Sequence, residues 1–535
     1  MRQNRLVRLD AGAREEILRG ASVLSSAVRV TMGPRGRNVI IGRPDGPPIL
    51  TKDGVTVAKA VNLSDPFQDL GVQAIKEAAA RTAEDAGDGT TGATVLAHSI
   101  LSQGVMLLAA GFSATELKEG IDLGVDRVVS SLRSMSVPVS DDQVEQVGTI
   151  SANGETQIGS MIAQAYSLVG RDGVISVEEA RSFTSSLEHV EGAQIDRGYL
   201  SPYFITNQEK SVVELEKPLI LLTNRRISTL REILPVLEKV ANQKRSLLII
   251  ADDVEGDAMQ GLVLNHSRGT IQVCAIKAPG FGHGRMDCLA DLSVLLNCAI
   301  VDGEGDFSRV TVDTLGTCRR ATISRSRSIL VGCPGDREQI ETRAASIRES
   351  LSRSDIDEGE MAFLRSRLSR LTGGVAIIRV GGSTEMEIGE RKDRVDDAVN
   401  AVLAALQEGI LPGGGVALVR ASRCLEDASG LTPGVAAGVG IVREACKATL
   451  RQIADNAGRT PDVVLEKVLE TSDRIGYDAA RNRYGDMVEM GIIDPHKVIR
   501  CALENAASAA GMLLTVGCAL VDEPTSQSEA DSQHS

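Results

Sequence analysis

A chain of 535 residues exceeds what one hydrophobic core can organise, so on the order of three or four domains are expected. Its formal net charge of -14 supplies no electrostatic footprint for a nucleic-acid backbone or an anionic membrane surface, and neither is an expected partner. Nine Cys without a CxxC pair argue against a disulfide framework or a zinc site and point to a reducing, cytoplasmic compartment.

The hydrophobic fraction is 42% but the aromatic fraction only 2%, with no Trp, so Ala, Val, Leu and Ile must fill the cores. That favours helices packed through small residues. The N-terminal stretch MRQNRLVRLDAGAREE has no apolar run of the kind a signal peptide carries. From Asp65 and Pro66 onward, Phe67, Leu70, Gly71, Ala74 and Ala78 recur at helical spacing, with Asp65 placed to cap and Gly87 to end the helix. A second helix is expected over Ala93 to Leu108. In the middle of the chain, apolar runs at 219–222, 247–251 and 271–276 alternate with helical stretches near 230–240 and 258–264, the pattern of a βαβ layer with a parallel sheet. From Val416 onward the period is again helical. The run Ala506 to Val521 is shorter than the roughly 20 residues that cross a bilayer and is expected as a buried helix. Gly192 and the Gly373-Gly374 pair bracket the middle region, which suggests an α/β domain inserted into a helical one through glycine hinges. The polar stretch DEPTSQSEADSQHS at the end is expected to be disordered.

No GxxxxGK[ST] is present, so a P-loop is excluded. Another phosphate device is available in Ala86-Gly87-Asp88-Gly89-Thr90-Thr91, where glycines let the backbone approach an anion and Thr90 and Thr91 offer donors at a helix N-terminus. Asp88 suits Mg²⁺, which binds triphosphates through one or two carboxylates. Alone, the same residues read more readily as a helix cap. Thr31-Met32-Gly33-Pro34-Arg35-Gly36-Arg37-Asn38 and Thr51-Lys52-Asp53-Gly54 are further glycine-containing turns, each an ordinary turn in isolation. Pro412-Gly413-Gly414-Gly415 opens a helix, and three consecutive glycines favour a close ligand or backbone approach.

Taken in order, TMGPRGRN, TKDGVTVA, AGDGTTGATVL, VGTISAN, DRGYLSPYF, the acidic Val395 to Ala398, GGGVAL and GIIDPHKV resemble the blocks of group I chaperonins of the GroEL type, from about Arg5 to Asp522. The resemblance implies a multidomain α and α/β fold. A helical equatorial ATPase domain would take residues 1–134 and 409–535, a small intermediate hinge domain 135–190 and 375–408, and an inserted apical α/β domain 191–374. It implies ATP with Mg²⁺, and allows K⁺. The phosphates would lie on Thr31, Met32, Gly33, Pro34, Lys52, Asp88, Gly89, Thr90, Thr91 and Gly92, with Mg²⁺ on Asp88. Gly414, Asp478, Ala479, Ala480 and Asp494 would hold the nucleoside. Asp397 would orient the attacking water, assisted by Asp53. Without the resemblance, Asp397 would read as a solvated helix carboxylate.

Of seven Phe and five Tyr, three fall together at Tyr199, Tyr203 and Phe204. Helix 230–240 carries Ile233, Leu234, Val236 and Leu237, an apolar arc wider than one core contact needs, and Met259, Val263 and Leu264 widen the next helix in the same way. Singly each is an ordinary core residue. As a set, Tyr199, Tyr203, Phe204, Leu234, Leu237, Met259, Val263 and Leu264 resemble the family's groove for non-native proteins and for a GroES-type co-chaperonin. Self-association into seven-membered rings is implied as well. Gly92 stands where the family has a third Thr, Asp478 where it has Asn and Pro412 where it has Ala, and the Gly-Gly-Met tail is absent. The expected function is an ATP-dependent chaperonin that folds non-native proteins in a ring cavity. A divergent scaffold or dedicated binding protein with little ATP turnover is the alternative. A metabolic enzyme is disfavoured, since the six His are scattered with no paired nucleophile and base.

Overall fold

The computed structural model describes residues 5–43, 46–152, 154–170, 173–180, 182–208, 210–280, 282–301, 307–351 and 357–522. Its contacts define two compact units, one built from residues 1–163 with 385–535 and the other from 164–384. The segments 135–190 and 375–408, expected together as a hinge domain, are divided between these units. The polar C-terminal tail from Glu523 onward lies outside the described residues.

In the unit made by the chain ends, helices Asp10–Val28, Pro66–Ala86, Thr90–Ala109, Ala114–Met135, Pro433–Ala445 and His496–Leu514 pack on one another. The Pro66–Ala86 helix has the expected punctuation: the Asp65 carboxylate accepts from the Phe67 and Gln68 N–H groups, and Gly87 ends it at φ 76°. Scarcity of aromatics is met by close backbone approach. A Cβ on Gly20 would stand 1.8 Å from the Gln68 carbonyl oxygen, and one on Gly71 2.0 Å from that of Ile17, so these two helices touch main chain to main chain. Gly120 and Gly438 do the same for Ala114–Met135 against Pro433–Ala445. Thr90–Ala109 is the one described helix long and apolar enough to cross a membrane, and its Ala93, Leu96, Ala97, Ile100 and Leu101 are buried in this helical core.

The expectation of one helix through Val521 is corrected. It stops at Leu514, and Cys518–Asp522 forms a strand antiparallel to Arg5–Leu9, with Leu9 opposite Cys518 and Arg5 opposite Asp522. After Gly517 the pattern has period two, with Ala519 and Val521 buried and Leu520 exposed, and the pairing partner lies at the other end of the chain.

The inserted unit holds the parallel sheet anticipated from the apolar runs. Val273–Lys277, Leu247–Ala251, Leu219–Thr223 and Ile300–Val301 are parallel neighbours in that order, and Gly316–Thr317 adds an antiparallel pair to Leu219–Thr223. The first three are buried along almost their whole length, as a sheet covered on both faces requires. Helices Leu230–Asn242 and Gly256–Ser267 connect them. A four-stranded antiparallel sheet runs Gly192–Ile195, Ser328–Val331, Arg320–Ile323, Val213–Glu216. A third sheet places Val375–Val380 between Val174–Glu179 and Ser186–Val190. Helices His283–Leu296, Arg337–Leu351 and Glu358–Thr372 are tied by fully buried Asp291, which accepts from Arg343 at 2.8 Å and Arg367 at 2.7 Å.

Candidate functional site

The glycines flanking Asp88 decide its geometry. Gly87 and Gly89 adopt φ 76° and 95°, and a Cβ on Gly87 would stand 2.3 Å from Cβ of Asn400. The turn thus lies hard against the Glu385–Glu408 helix, one turn beyond Asp397. Gly89 caps the Thr90–Ala109 helix without a side-chain acceptor, so the first N–H groups of that helix have no cap from its own N-terminal residue. The Thr51–Gly54 turn packs alongside: a Cβ on Gly54 would stand 2.1 Å from Thr91 Oγ1.

Asp53 caps the short Gly54–Ala60 helix, accepting from Val55 N–H at 2.9 Å and from Thr56 N–H at 2.7 Å. This capping use was not read from the sequence, although Asp before a short helical run is its signature. Burial raises the Asp88 carboxyl, against a hydrogen bond from the Gly89 N–H, and Asp53 raises it further. Asp397 is held well above the usual carboxylate range by burial and then by Asp88 and Asp53. Asp494 is pushed up to about 6, mainly by burial, with Asp88 adding to it and a hydrogen bond from Gly414 opposing. Four carboxylates from four distant segments therefore share one field. Among the described residues, no Lys or Arg forms an ion pair with Asp88, Asp397 or Asp494. No described group of three acidic, His or Cys side chains forms a closed metal cage. The set fits Mg²⁺, which takes one or two carboxylates and fills its remaining positions with phosphate oxygen and water.

The remaining expected residues are partly drawn to the same place. Lys52 lies near Glu390, whose carboxyl is raised by burial and lowered by that lysine. Thr31 is buried and its hydroxyl donates to the Val28 carbonyl, so that hydroxyl is engaged within the helix end that precedes the turn. The Arg35 guanidinium donates to the Ala480 carbonyl at 2.8 Å, joining that turn to the hairpin that carries Asp478 and Ala479. Asp478 is buried, and its carboxylate accepts from the Arg481 N–H and pairs with Arg483. Its charge is thereby engaged inside the hairpin. Asp494 stands beside the glycine turn: a Cβ on Gly413 would be 3.0 Å from its Oδ1, and Gly414 sits at φ 65°. Gly92 faces open space.

In the inserted unit the apolar set divides. Tyr203 is 72% exposed, Leu234 43% and Leu264 47%. Tyr199, Met259 and Val263 are half-buried against the core. Phe204 and Leu237 are corrections to the expected surface, since both are buried. Phe204 packs edge-on to the His266 ring at 5.8 Å, and Leu237 belongs with Ile233, Val236 and Val240 to the i, i+3, i+4, i+7 stripe that faces the core.

A family model described as the TCP-1/cpn60 chaperonin family matches residues 24–524. Among solved structures, the chain resembles the chaperonin gp146 from the bacteriophage EL 2 (Pseudomonas aeruginosa) in the presence of ATP-BeFx. Crystal form II of that protein is 25% identical with a TM-score of 0.69, over 97% of this chain and 99% of that chain. Crystal form I gives 24% identity and a TM-score of 0.64 over the same shares.

Proposed function

The chain belongs to the TCP-1/cpn60 chaperonin family, and from that premise we propose that it is an ATP-hydrolysing chaperonin that captures non-native proteins and promotes their folding in a ring of its own copies. The observation that carries the reading is the gathering of Asp53, Asp88, Asp397 and Asp494 from four segments around one open helix N-terminus. That arrangement matches a ligand that brings both a cation and phosphate oxygens.

In this reading the β- and γ-phosphates rest on the N–H groups and hydroxyls of Asp88 to Thr91 and on the Thr31–Pro34 main chain, with Lys52 adding positive charge. Gly92 contributes backbone alone. Mg²⁺ would be held by Asp88, and when bound it neutralises phosphate charge. Gly414, Ala479, Ala480 and Asp494 enclose the nucleoside. Asp397 orients the attacking water and receives its proton, since phosphoryl transfer needs positioning more than covalent help. Asp53 holds the adjoining helix start in register. Tyr203, Leu234 and Leu264 offer apolar contacts to extended non-native chains, which burial binds without regard to sequence. A co-chaperonin lid would meet the same surface. The three-domain division, with hinge segments 135–190 and 375–408, is proposed on the same footing, as is a cytoplasmic location. Exposed Leu6, Val7, Leu9 and Leu520 on the terminal strands, and Ile40 and Leu50 on the Val39–Thr51 hairpin, suit self-association.

Recovery of a chemically denatured test enzyme, with and without ATP, decides the reading. ATP-dependent recovery above the spontaneous yield is expected. Client binding with no ATP turnover would instead favour a scaffold or dedicated binding protein.

A further inference from the structure

One face of the Ala448–Asn456 helix meets two separate segments of the candidate nucleotide site. Thr449, Gln452, Ile453 and Asn456 fall at i, i+3, i+4 and i+7, so they share that face. A Cβ on Gly415 would stand 2.9 Å from Thr449 Oγ1, and one on Gly33 3.2 Å from Ile453 Cγ1. Asn456 makes the most directed contact. Its Nδ2 donates to the Arg29 carbonyl at 2.9 Å and to the Met32 carbonyl at 2.9 Å, across more than 420 residues of sequence. Its Oδ1 accepts from Gln452 Nε2 at 2.9 Å, and Gln452 is itself buried. One amide is therefore oriented by a buried neighbour and spends both its hydrogens on one turn.

That turn is also held by the Thr31 hydroxyl on the Val28 carbonyl and by the Arg35 guanidinium on the Ala480 carbonyl. Its internal bonds run from Met32 N–H to Arg29, from Gly36 N–H to Gly33 and from Arg37 N–H to Val30. Asn456 holds the two carbonyls that bracket Val30 and Thr31 and so fixes the course of the main chain that leads into Gly33 and Pro34. We propose that Asn456 is a positioning residue for nucleotide binding, acting through the Thr31–Pro34 turn and touching no ligand itself. This deepens the ATP reading and rests on it. Ordering a turn before the ligand arrives removes an entropic penalty from binding, so the effect belongs in affinity and not in the chemical step.

Three variants and two measurements test this in the full-length chain. Asn456→Ala removes both donors, and Asn456→Asp keeps the size but sets an acceptor against two carbonyls. Leu465→Ala, in the neighbouring apolar cluster, is a destabilised control. Amide hydrogen exchange over residues 30–37 is followed without nucleotide, and ADP and ATP affinities are measured by calorimetry beside KM and kcat. We expect faster exchange in that segment and affinity and KM weakened on the order of 10-fold in Asn456→Ala, more in Asn456→Asp, with kcat within about twofold. Leu465→Ala should lower Tm with wild-type affinity. Wild-type exchange and affinity in both Asn456 variants overturn the proposal, as does an affinity loss in Leu465→Ala equal to theirs. A wild-type chain that binds neither nucleotide overturns the ATP reading, and the exchange data then still decide whether Asn456 holds the turn.

Discussion

Asp291 in the inserted unit and Asp397 in the unit of the chain ends are both carboxylates that folding withdraws from water, yet their surroundings differ in kind. Asp291 is fully buried and lies within 3 Å of two guanidinium groups, Arg343 at 2.8 Å and Arg367 at 2.7 Å. Its charge is neutralised by the chain itself. Asp397 has its pKa raised first by burial and then by the negative charges of Asp88 and Asp53. A charge that serves the fold is paired from within, whereas the charges at the candidate site repel one another until something from outside joins them.

The largest effect should come from removing Asp397. Asp397→Ala is expected to retain ATP binding and lose about 10²- to 10⁴-fold in hydrolysis, measured by single-turnover phosphate release. Near-normal turnover would end the distinction between the two acids. Asp291→Ala should strand Arg343 and nearly buried Arg367, a loss on the order of 3–5 kcal/mol confined to the inserted unit. Because a chain of several units need not unfold in one step, the check is hydrogen exchange in Arg337–Leu351 and Glu358–Thr372, with the Thr90–Ala109 helix as internal reference.

The surface of the inserted unit sharpens the comparison differently. Tyr203→Glu and Leu234→Glu should weaken capture of an unfolded protein by about 10-fold or more at unchanged basal ATPase. Leu237→Ala should instead destabilise the unit by roughly 2–4 kcal/mol, as a buried leucine does. Equal capture by all three variants would return Tyr203 and Leu234 to a purely structural role.

A smaller effect concerns pH. The Asp494 carboxyl is raised to about 6 in the fold from an ordinary value near 3.8, so the native chain holds its proton more tightly than the unfolded chain between those values. This group favours the fold when protonated, and its contribution is lost as pH rises through about 6. Asp494→Asn in nucleotide-free protein should therefore raise Tm by about 2–4 °C at pH 7, with the gain shrinking toward pH 4. A gain independent of pH would assign the effect to packing. Smallest of all, Gly92 lies in the first turn of the Thr90–Ala109 helix with open space where a Cβ would stand, so Gly92→Ala should stabilise the empty chain by about 0.5–1 kcal/mol.

Local chemistry made much of this legible in sequence. Asp65, Pro66 and Gly87 mark a helix because a cap, a fixed φ and a left-handed residue act within one turn. The parallel sheet shows in its apolar runs because strands covered on both faces need no alternation. Asp88, Asp397 and Asp494 are expected at the site by motif, through the family's ordered blocks, and the fold brings their carboxyls within one another's field. What only the tertiary structure decided depends on neighbours remote in the chain. The strand Cys518–Asp522 exists because Arg5–Leu9 pairs with it, and no local period announces a partner more than 500 residues away. Asp53 also starts a helix and Asp478 is paired with two arginines, partners that no motif names. Phe204 and Leu237 looked like surface until His266 and the core stripe enclosed them. Asn456 carried no motif at all, because two carbonyls give it its meaning and every residue has one. Sequence determined which residue types were available for caps, strands and acids, and three-dimensional packing determined which charges were left unpaired for a ligand to complete.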